Sequence, residues 1–241
     1  MGCFQMVLLP TLNRTSFLKN FFQSYRETSA IVPVMALVDE VDYQENKAEY
    51  DCVDYPVNCF MYNTGSAITM GDKVRRCWGR VKEDHPKWVG ILNDDHYCIT
   101  PEWDKRVEEM LDGTNMVSTN DGNWNFGFRC CGLTAWSMPL LDAAGFPIFP
   151  RNLHHYFIDD CWKVIGESSG CWLETMKINI EHRHVLNGKM PADDTFKKVN
   201  EAKANLYDQN EFKHFMEQDF KDVVMRIVEL RSSQVQENKF A

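Results

Sequence analysis

Residues 90–100 read GILNDDHYCIT, in which a short apolar run is followed at once by Asn93, Asp94 and Asp95. An apolar run bounded by polar residues is typical of a buried strand. Residues 6–9, 31–38 and 115–118 have the same form, and helical periods at 17–25 and 103–111 fit between them. This alternation predicts one α/β domain with a mainly parallel central sheet flanked by helices.

The composition limits the functional classes that remain. A chain of 241 residues with 44% hydrophobic residues can fill a sizeable core, and its net charge of -9 argues against broad attraction to nucleic acid phosphates. Nine cysteines, with no C-x-x-C pair, favour a reducing compartment. No run predicts a membrane span or an export signal, so we expect the cytoplasm, with a bacterium or a virus-infected host among the candidates.

Polar residues follow each of the predicted strands. Ligands of open α/β sheets bind at the carboxyl ends of the strands, so these residues should meet at one rim. Carboxylates that meet repel one another unless a cation neutralises them, and a nucleotide diphosphate with Mg²⁺ or Mn²⁺ would do so. For Asp94 and Asp95 the alternative is ordinary turn and capping chemistry. The four polar segments are 10–14, 39–42, 93–96 and 119–122.

An ordered set of segments resembles the GT-A-fold glycosyltransferases, especially the inverting enzymes of family two. No single segment is specific, but their order and spacing fit across residues 6–190. The segments are 8–14, 37–39, 63–67, 92–95, 132–136, 144–146 and 157–162.

The resemblance implies a single GT-A-like domain over 1–190. Apolar residues at helical spacing over 212–228 predict a helical C-terminal extension, 191–241, that packs on this domain or forms a homodimer contact. The resemblance also implies metal-dependent transfer of a sugar from a nucleotide-diphosphate donor, a UDP-sugar among the candidates, to an acceptor hydroxyl with inversion.

Seven residues are expected near the donor, two of which, Asn93 and Asp94, belong to the motif described next. The resemblance places Thr11 and Arg14 beside the nucleotide and Asp39 against the base or ribose. Lys73, in the early basic cluster, is a further candidate. Lys189, in a turn-rich loop, would counter phosphate charge, and a solvated lysine beside an ordinary Gly turn is the alternative.

Asn93, Asp94 and Asp95 stand where the family keeps its Asp-x-Asp metal motif. The first position departs from that pattern, and an Asn oxygen can still accept from a sugar or ribose hydroxyl. The resemblance therefore assigns the metal ion, Mn²⁺ or Mg²⁺, to Asp95 and the donor sugar to Asp94. His184 or His182 resembles the histidine that completes the metal sphere, and in an extended segment both share one face. Ordinary surface histidines are the alternative.

Inverting transfer needs a base for the acceptor hydroxyl. Asp160 matches the second acid of the family's pair and Asp159 is the fallback, while capping of the following helix is the alternative for either. Trp124 and Phe126 could stack on an acceptor, which would be a glycan, a small molecule or a hydroxylated DNA base, or else bury in a strand.

Two other functional classes stay open. A nucleotidyltransferase should carry a Gly-rich basic loop after its first strand, which residues 11–14 match poorly. A non-catalytic GT-A-like binding protein would keep the fold and lose the metal or the base, and Asn93 favours it.

Overall fold

The computed structural model describes residues 5–67, 69–122, 132–150, 152–185, 188–199 and 202–240. The strands are β1 Met6–Pro10, β2 Val34–Val38, β3 Phe60–Asn63, β4 Trp88–Ile91, β5 His96–Cys98, β6 Met116–Asn120, β7 Thr134–Ser137 and β8 Trp172–His182. The helices are α1 Thr15–Glu27, α2 Glu40–Glu45, α3 Lys47–Asp51, α4 Met70–Asp84, α5 Trp103–Met110, α6 Met138–Ala144, α7 Ile158–Ser169, α8 Asp194–Val199, α9 Ala202–Gln218 and α10 Phe220–Phe240.

Over the described residues the strands form a sheet in the order β3-β2-β1-β4-β7-β6-β8-β5. Strands β1 to β4 are mutually parallel, β6 and β8 are parallel, and β5 and β7 run antiparallel to their neighbours. The predicted α/β class with a mainly parallel sheet is therefore confirmed.

Strand β1 shows why the central strands read as unbroken apolar runs. Its side chains alternate between two faces, and each face is covered by helices. Val7 and Leu9 pack with α1 and α5, whereas Met6 and Leu8 pack with α4, α6 and α7. Because both faces are buried, every position of the strand must be apolar.

The carboxyl ends of these strands lead into well-defined turns. After β2, the Asp39 carboxylate accepts from the Asp42 backbone N–H and caps α2. The residue before α7, Phe157, has φ 63°, and α7 then carries Asp159 and Asp160 in its first turn. Backbone geometry thus fixes Asp39 directly after β2, and it fixes Asp159 and Asp160 at the start of α7, after the loop from α6.

The predicted helical region at the C-terminus is confirmed as α8, α9 and α10. Phe215, Val223 and Ile227 from α9 and α10 are buried in the same core as α6 and α7. Among the described residues no helix has the length and apolar character that a membrane crossing requires.

Strand β8 changes partners along its length. Its first half pairs with β6, but the register jumps from Thr119↔Thr175 to Asn120↔Asn179, leaving 176–178 unmatched on β8. Its last residues pair with β5, which sets His96 opposite His182.

Candidate active site

The carboxyl ends of β1 and β4 open into a pocket of about 130 Å³. Eight residues predicted from the sequence line it: Thr11, Arg14, Lys73, Asn93, Asp94, Asp95, His182 and His184. The remaining lining residues are Pro10, Leu12, Met70, His155, Thr195 and Phe196. The structure therefore brings together most of the predicted donor and metal residues.

Asp94 is held from two sides at the base of this pocket. The Thr11 hydroxyl donates to its Oδ2 at 2.7 Å, and Arg14 Nη1 donates to its Oδ1 at 3.1 Å. Burial raises the pKa of Asp94 above its ordinary value and the charge of Asp95 adds to this, while Arg14 opposes both. Positive charge beside the pair, such as that of Arg14, therefore favours the ionised form of Asp94.

Asp95 is also buried, with 8% of its surface exposed. Its Oδ1 lies 3.2 Å from His182 Nε2 and 3.7 Å from His96 Nδ1, but it accepts no hydrogen bond of good geometry from the part of the chain that is described. Burial acts to raise the pKa of Asp95, but His182, His96 and Arg14 outweigh it and hold that pKa below its usual range. An ionised, buried oxygen without a well-aligned donor fits a metal ligand.

The alternative interpretation, that Asp94 and Asp95 belong to a turn, is correct for the backbone of this segment. Asp94 and Asp95 occupy the turn between β4 and β5, and the His96 N–H donates to the Asn93 carbonyl at 3.1 Å. The Asn93 N–H donates to His96 Nδ1 at 2.9 Å. A turn alone would leave the two carboxylates in solvent, whereas here both are buried in the pocket, so the segment combines a turn with a site.

Asp95, His96 and His182 form a cluster whose ligand atoms lie within 4.8 Å of one another. The rings of His96 and His182 stack with centroids 4.4 Å apart, as their cross-strand pairing dictates. His184 lies one ring further out, 5.0 Å from His182. The arrangement favours His182 over His184 as the partner of Asp95. His96 follows Asp95 directly in sequence, but only the pairing of β5 with β8 shows that it belongs to this cluster.

Arg14 connects the acidic pair to the C-terminal segment. Its Nε and Nη2 donate to the Asp193 carboxylate at 2.7 and 2.8 Å. The Thr195 hydroxyl donates to the Leu12 carbonyl at 3.0 Å, and the Phe196 ring packs against His184 with centroids 5.3 Å apart. Thr195 and Phe196 thus line one side of the pocket, held there in part by Asp193, and sequence reasoning missed them.

Lys73 and Asp39, both predicted near the donor, contact each other inside the protein. Lys73 is only 1% exposed, and its ammonium lies 3.1 Å from Asp39 Oδ2 and donates to the Thr11 carbonyl. Burial lowers the pKa of Lys73, and Asp39 partly offsets this. Asp39 does not line the pocket. The two residues form an internal ion pair beneath the Thr11 loop, and Lys73 also lines the pocket. A direct contact of either residue with a donor stays a prediction.

Lys189, also predicted near the donor, makes an ion pair with Glu181. Its ammonium donates to Glu181 Oε1 at 2.7 Å, and Glu181 also accepts from Arg183 Nε at 2.9 Å. Glu181 and Arg183 alternate with His182 along the chain and lie on the other side from the pocket. Lys189 follows them there and does not line the pocket.

Asp159 and Asp160 lie outside the pocket lining, at the first turn of α7. Both side chains reach solvent. Desolvation by the surrounding protein and repulsion from Asp160 raise the pKa of Asp159 to about 6. Asp121 adds to this rise and His182 opposes it.

One pocket residue, His155, was not predicted. Burial lowers the pKa of His155 to about 4, so the ring is neutral at physiological pH. It comes from the loop between α6 and α7, where no pattern in the sequence marks it. The predicted acceptor residues Trp124 and Phe126 lie outside the described residues.

Comparison with solved structures identifies the fold. The 1–349 portion of S. aureus TarS in complex with UDP superposes with a TM-score of 0.52 and 12% identity, over 73% of this chain and 59% of that one. The same portion in complex with UDP-GlcNAc gives 0.50 and 12%, over 81% and 64%. Glucosyl-3-phosphoglycerate synthase from Mycobacterium tuberculosis, in complex with phosphoglyceric acid, gives 0.51 and 13%, over 76% and 73%.

These likenesses show that the chain has a GT-A-like fold, as its sequence predicted. The chain spans less than two thirds of the length of the TarS structures it matches. No protein-family model matches the chain, and no curated protein matches its sequence.

Proposed function

We propose that this protein transfers a sugar from a nucleotide-diphosphate donor to an acceptor hydroxyl, with inversion at the anomeric carbon. The observation that supports this most is the buried Asp94–Asp95 turn. It faces Arg14 and His182 in a pocket at the strand ends, on a fold shared with proteins solved with UDP and UDP-GlcNAc.

The metal site of this proposal consists of Asp95 and His182, with His96 behind them. A carboxylate with imidazole nitrogen suits Mn²⁺ better than Mg²⁺, which prefers an all-oxygen shell. A divalent cation bound there would neutralise the donor diphosphate and stabilise it as a leaving group. Arg14 would add a second positive charge on the same side of the pocket.

Arg14 and Asp94 have separate roles in donor binding. The guanidinium already lies against three carboxylates, so a diphosphate entering the pocket would exchange for at least one of them. Asp94, held by Thr11, would accept from a hydroxyl of the donor sugar.

The base belongs to the acidic pair that opens α7. As the acceptor oxygen attacks the anomeric carbon, one carboxylate takes the hydroxyl proton. The new glycosidic bond forms while the bond to the diphosphate oxygen breaks, and the nucleotide leaves. A base with its pKa near working pH is effective, and Asp159 meets this condition at about 6. We therefore test Asp159 first, with Asp160, the position that the family resemblance favours, as the other candidate for the base.

A binding screen tests the proposal. ADP, CDP, GDP, TDP and UDP at millimolar concentration, each with and without Mn²⁺, would be followed by thermal shift and calorimetry on wild type and Asp95→Asn. Binding at 100 times Kd stabilises the fold by about 2.7 kcal/mol, so even weak ligands register. Asp142→Asn, an exposed change, is the matched control.

We expect one nucleotide to bind in a Mn²⁺-dependent way and Asp95→Asn to abolish this. Absence of binding to every nucleotide, with or without metal, would overturn the proposal. Binding without turnover of the matching nucleotide-sugar would favour the second candidate, a non-catalytic binding protein, which Asn93 at the first motif position supports.

A further inference from the structure

Asp208 of α9 is a fully buried carboxylate, with 0% of its surface exposed. Burying a charge without partners is costly, so its contacts have to compensate. Within the described ranges it makes no ion pair with a lysine or arginine. It accepts instead from three consecutive backbone N–H groups, those of His154, His155 and Tyr156, at 2.8, 2.9 and 2.7 Å.

Three successive N–H groups that converge on one anion fix the backbone carrying them. Two further contacts from α9 hold the same loop. The Tyr207 ring stacks on His154 with centroids 4.4 Å apart, and the Phe212 ring stacks on Phe157 at 5.3 Å. Asp208 and Phe212 are four residues apart and so share a face of the helix.

The opposite side of the loop is held by α4. The Gly71 N–H donates to the His154 carbonyl at 2.8 Å, and Arg75 Nη1 donates to the Leu153 carbonyl at 3.3 Å. The amides of the loop thus point to α9 and its carbonyls point to α4. This loop carries His155 into the pocket and leads within three residues of Tyr156 to Asp159.

The geometry points to Asp208 as a positioning residue for the α7 acidic pair and His155. This inference rests on the proposed transferase function. The residue acts through the loop backbone and does not itself line the pocket. The C-terminal helices would then serve the chemistry as well as the core, because removing the carboxylate frees three amides and lets the base move relative to the donor. A misplacement of about 1 Å can lower a rate by about 100-fold.

Asp208→Asn tests this inference, with Glu217→Gln on an exposed face of the same helix as the matched control. Asparagine keeps the shape but turns one acceptor into a donor that faces an N–H. Asp208→Glu is the second variant, since it keeps the charge and both oxygens and moves them by about 1.5 Å. We call the three hydrogen bonds from the 154–156 amides to Asp208 the clamp. Amide hydrogen exchange of residues 154–156 reports on it directly and does not depend on enzymatic activity.

We expect at least tenfold faster exchange at 154–156 in Asp208→Asn, an intermediate change in Asp208→Glu and none in Glu217→Gln. With UDP-GlcNAc and Mn²⁺ as the probe, kcat for donor hydrolysis should fall about 10- to 100-fold in Asp208→Asn. KM should stay within about twofold, because the donor pocket is intact.

Unchanged exchange in Asp208→Asn would overturn the clamp whatever the activity. Faster exchange with an unchanged kcat would overturn the positioning role. A wild type that neither binds nor hydrolyses UDP-GlcNAc, and binds none of the five nucleotides of the screen, would instead mark failure of the proposed function. The exchange result would then still show whether the clamp exists.

Discussion

Arg14 and Asp193, 179 positions apart in the chain, are joined by two hydrogen bonds of 2.7 and 2.8 Å. The same guanidinium donates to Asp94 at 3.1 Å and lies 3.8 Å from Asp95. One side chain therefore links the loop after β1, the acidic turn after β4 and the segment that begins α8.

Arg14→Met should lower the free energy of unfolding by about 3 kcal/mol in metal-free buffer. The reason is that Asp94 and Asp95 stay buried after losing the cation that pairs with them. Mn²⁺ should restore part of the loss by supplying positive charge at the same place. Urea denaturation with and without Mn²⁺ measures both effects.

Arg26→Met is the control, because Arg26 lies in α1, the helix that follows Arg14, and makes an exposed ion pair with Asp54. It should change stability by less than about 0.5 kcal/mol. Equal effects of the two variants would contradict the role given to Arg14.

His182→Ala should weaken Mn²⁺ binding by more than about 100-fold, because His182 Nε2 lies beside the Asp95 carboxylate. His184→Ala should cost less than about tenfold, since its ring lies beyond His182. Isothermal titration of Mn²⁺ separates the two, with His214→Ala as an exposed control. The reverse order of losses would make His184 the ligand.

The rate of transfer at saturating Mn²⁺ should rise with pH through about 6 and then level off. Asp159 is protonated below its raised pKa and cannot accept a proton, and above that pKa it is ionised. In Asp160→Asn the repulsion disappears, so the midpoint should move to lower pH. Initial rates across pH 5 to about 8 in both proteins measure this.

Asp159→Asn should then abolish transfer while nucleotide binding persists. If Asp159→Asn stays active and Asp160→Asn is inactive, Asp160 is the base.

Gly71→Ala should destabilise the protein by about 2 kcal/mol, because a Cβ there would lie 2.0 Å from the Leu153 carbonyl oxygen. Gly79→Ala in the same helix meets no atom within 4 Å and is solvent-exposed. It should stabilise the helix by up to about 1 kcal/mol. Urea denaturation of the two variants measures both changes. The free energy of unfolding should fall in Gly71→Ala and rise in Gly79→Ala if α4 packs as closely on the loop as described.

The central part of the fold was predictable from the sequence because β1, β2 and β4 are buried on both faces and so read as apolar runs. Strand β2 begins at Val34 and not at residue 31, since its partner β1 pairs only from there. Strand β3 was not predicted because it is short, with burial that is partial at best. Strand β8 was missed because it is largely polar, with Glu174 and Lys177 exposed along it.

Site residues could be predicted where the end of a strand determines their position. They could not be predicted where tertiary packing determines it. Thr11, Asp94 and Asp95 follow strands directly, so the topology rule located them. His155 and Phe196 reach the pocket from loops and helices far along the chain, and no local pattern announces them. Lys189 was predicted to counter phosphate charge, which stays a prediction. Its ion pair with Glu181 could not be predicted, because it is recognisable only once the direction of β8 is known.

The unmatched residues 176–178 of β8 decide which side chains enter the pocket. Side chains alternate between the two faces of a strand, so the length of this insertion decides on which face each later side chain of β8 lies. Loss of one residue would turn the Glu181 carboxylate inward and His182 outward, whereas loss of two would preserve the arrangement. Changes of length at this point are therefore expected to be compatible with the site only in steps of two residues.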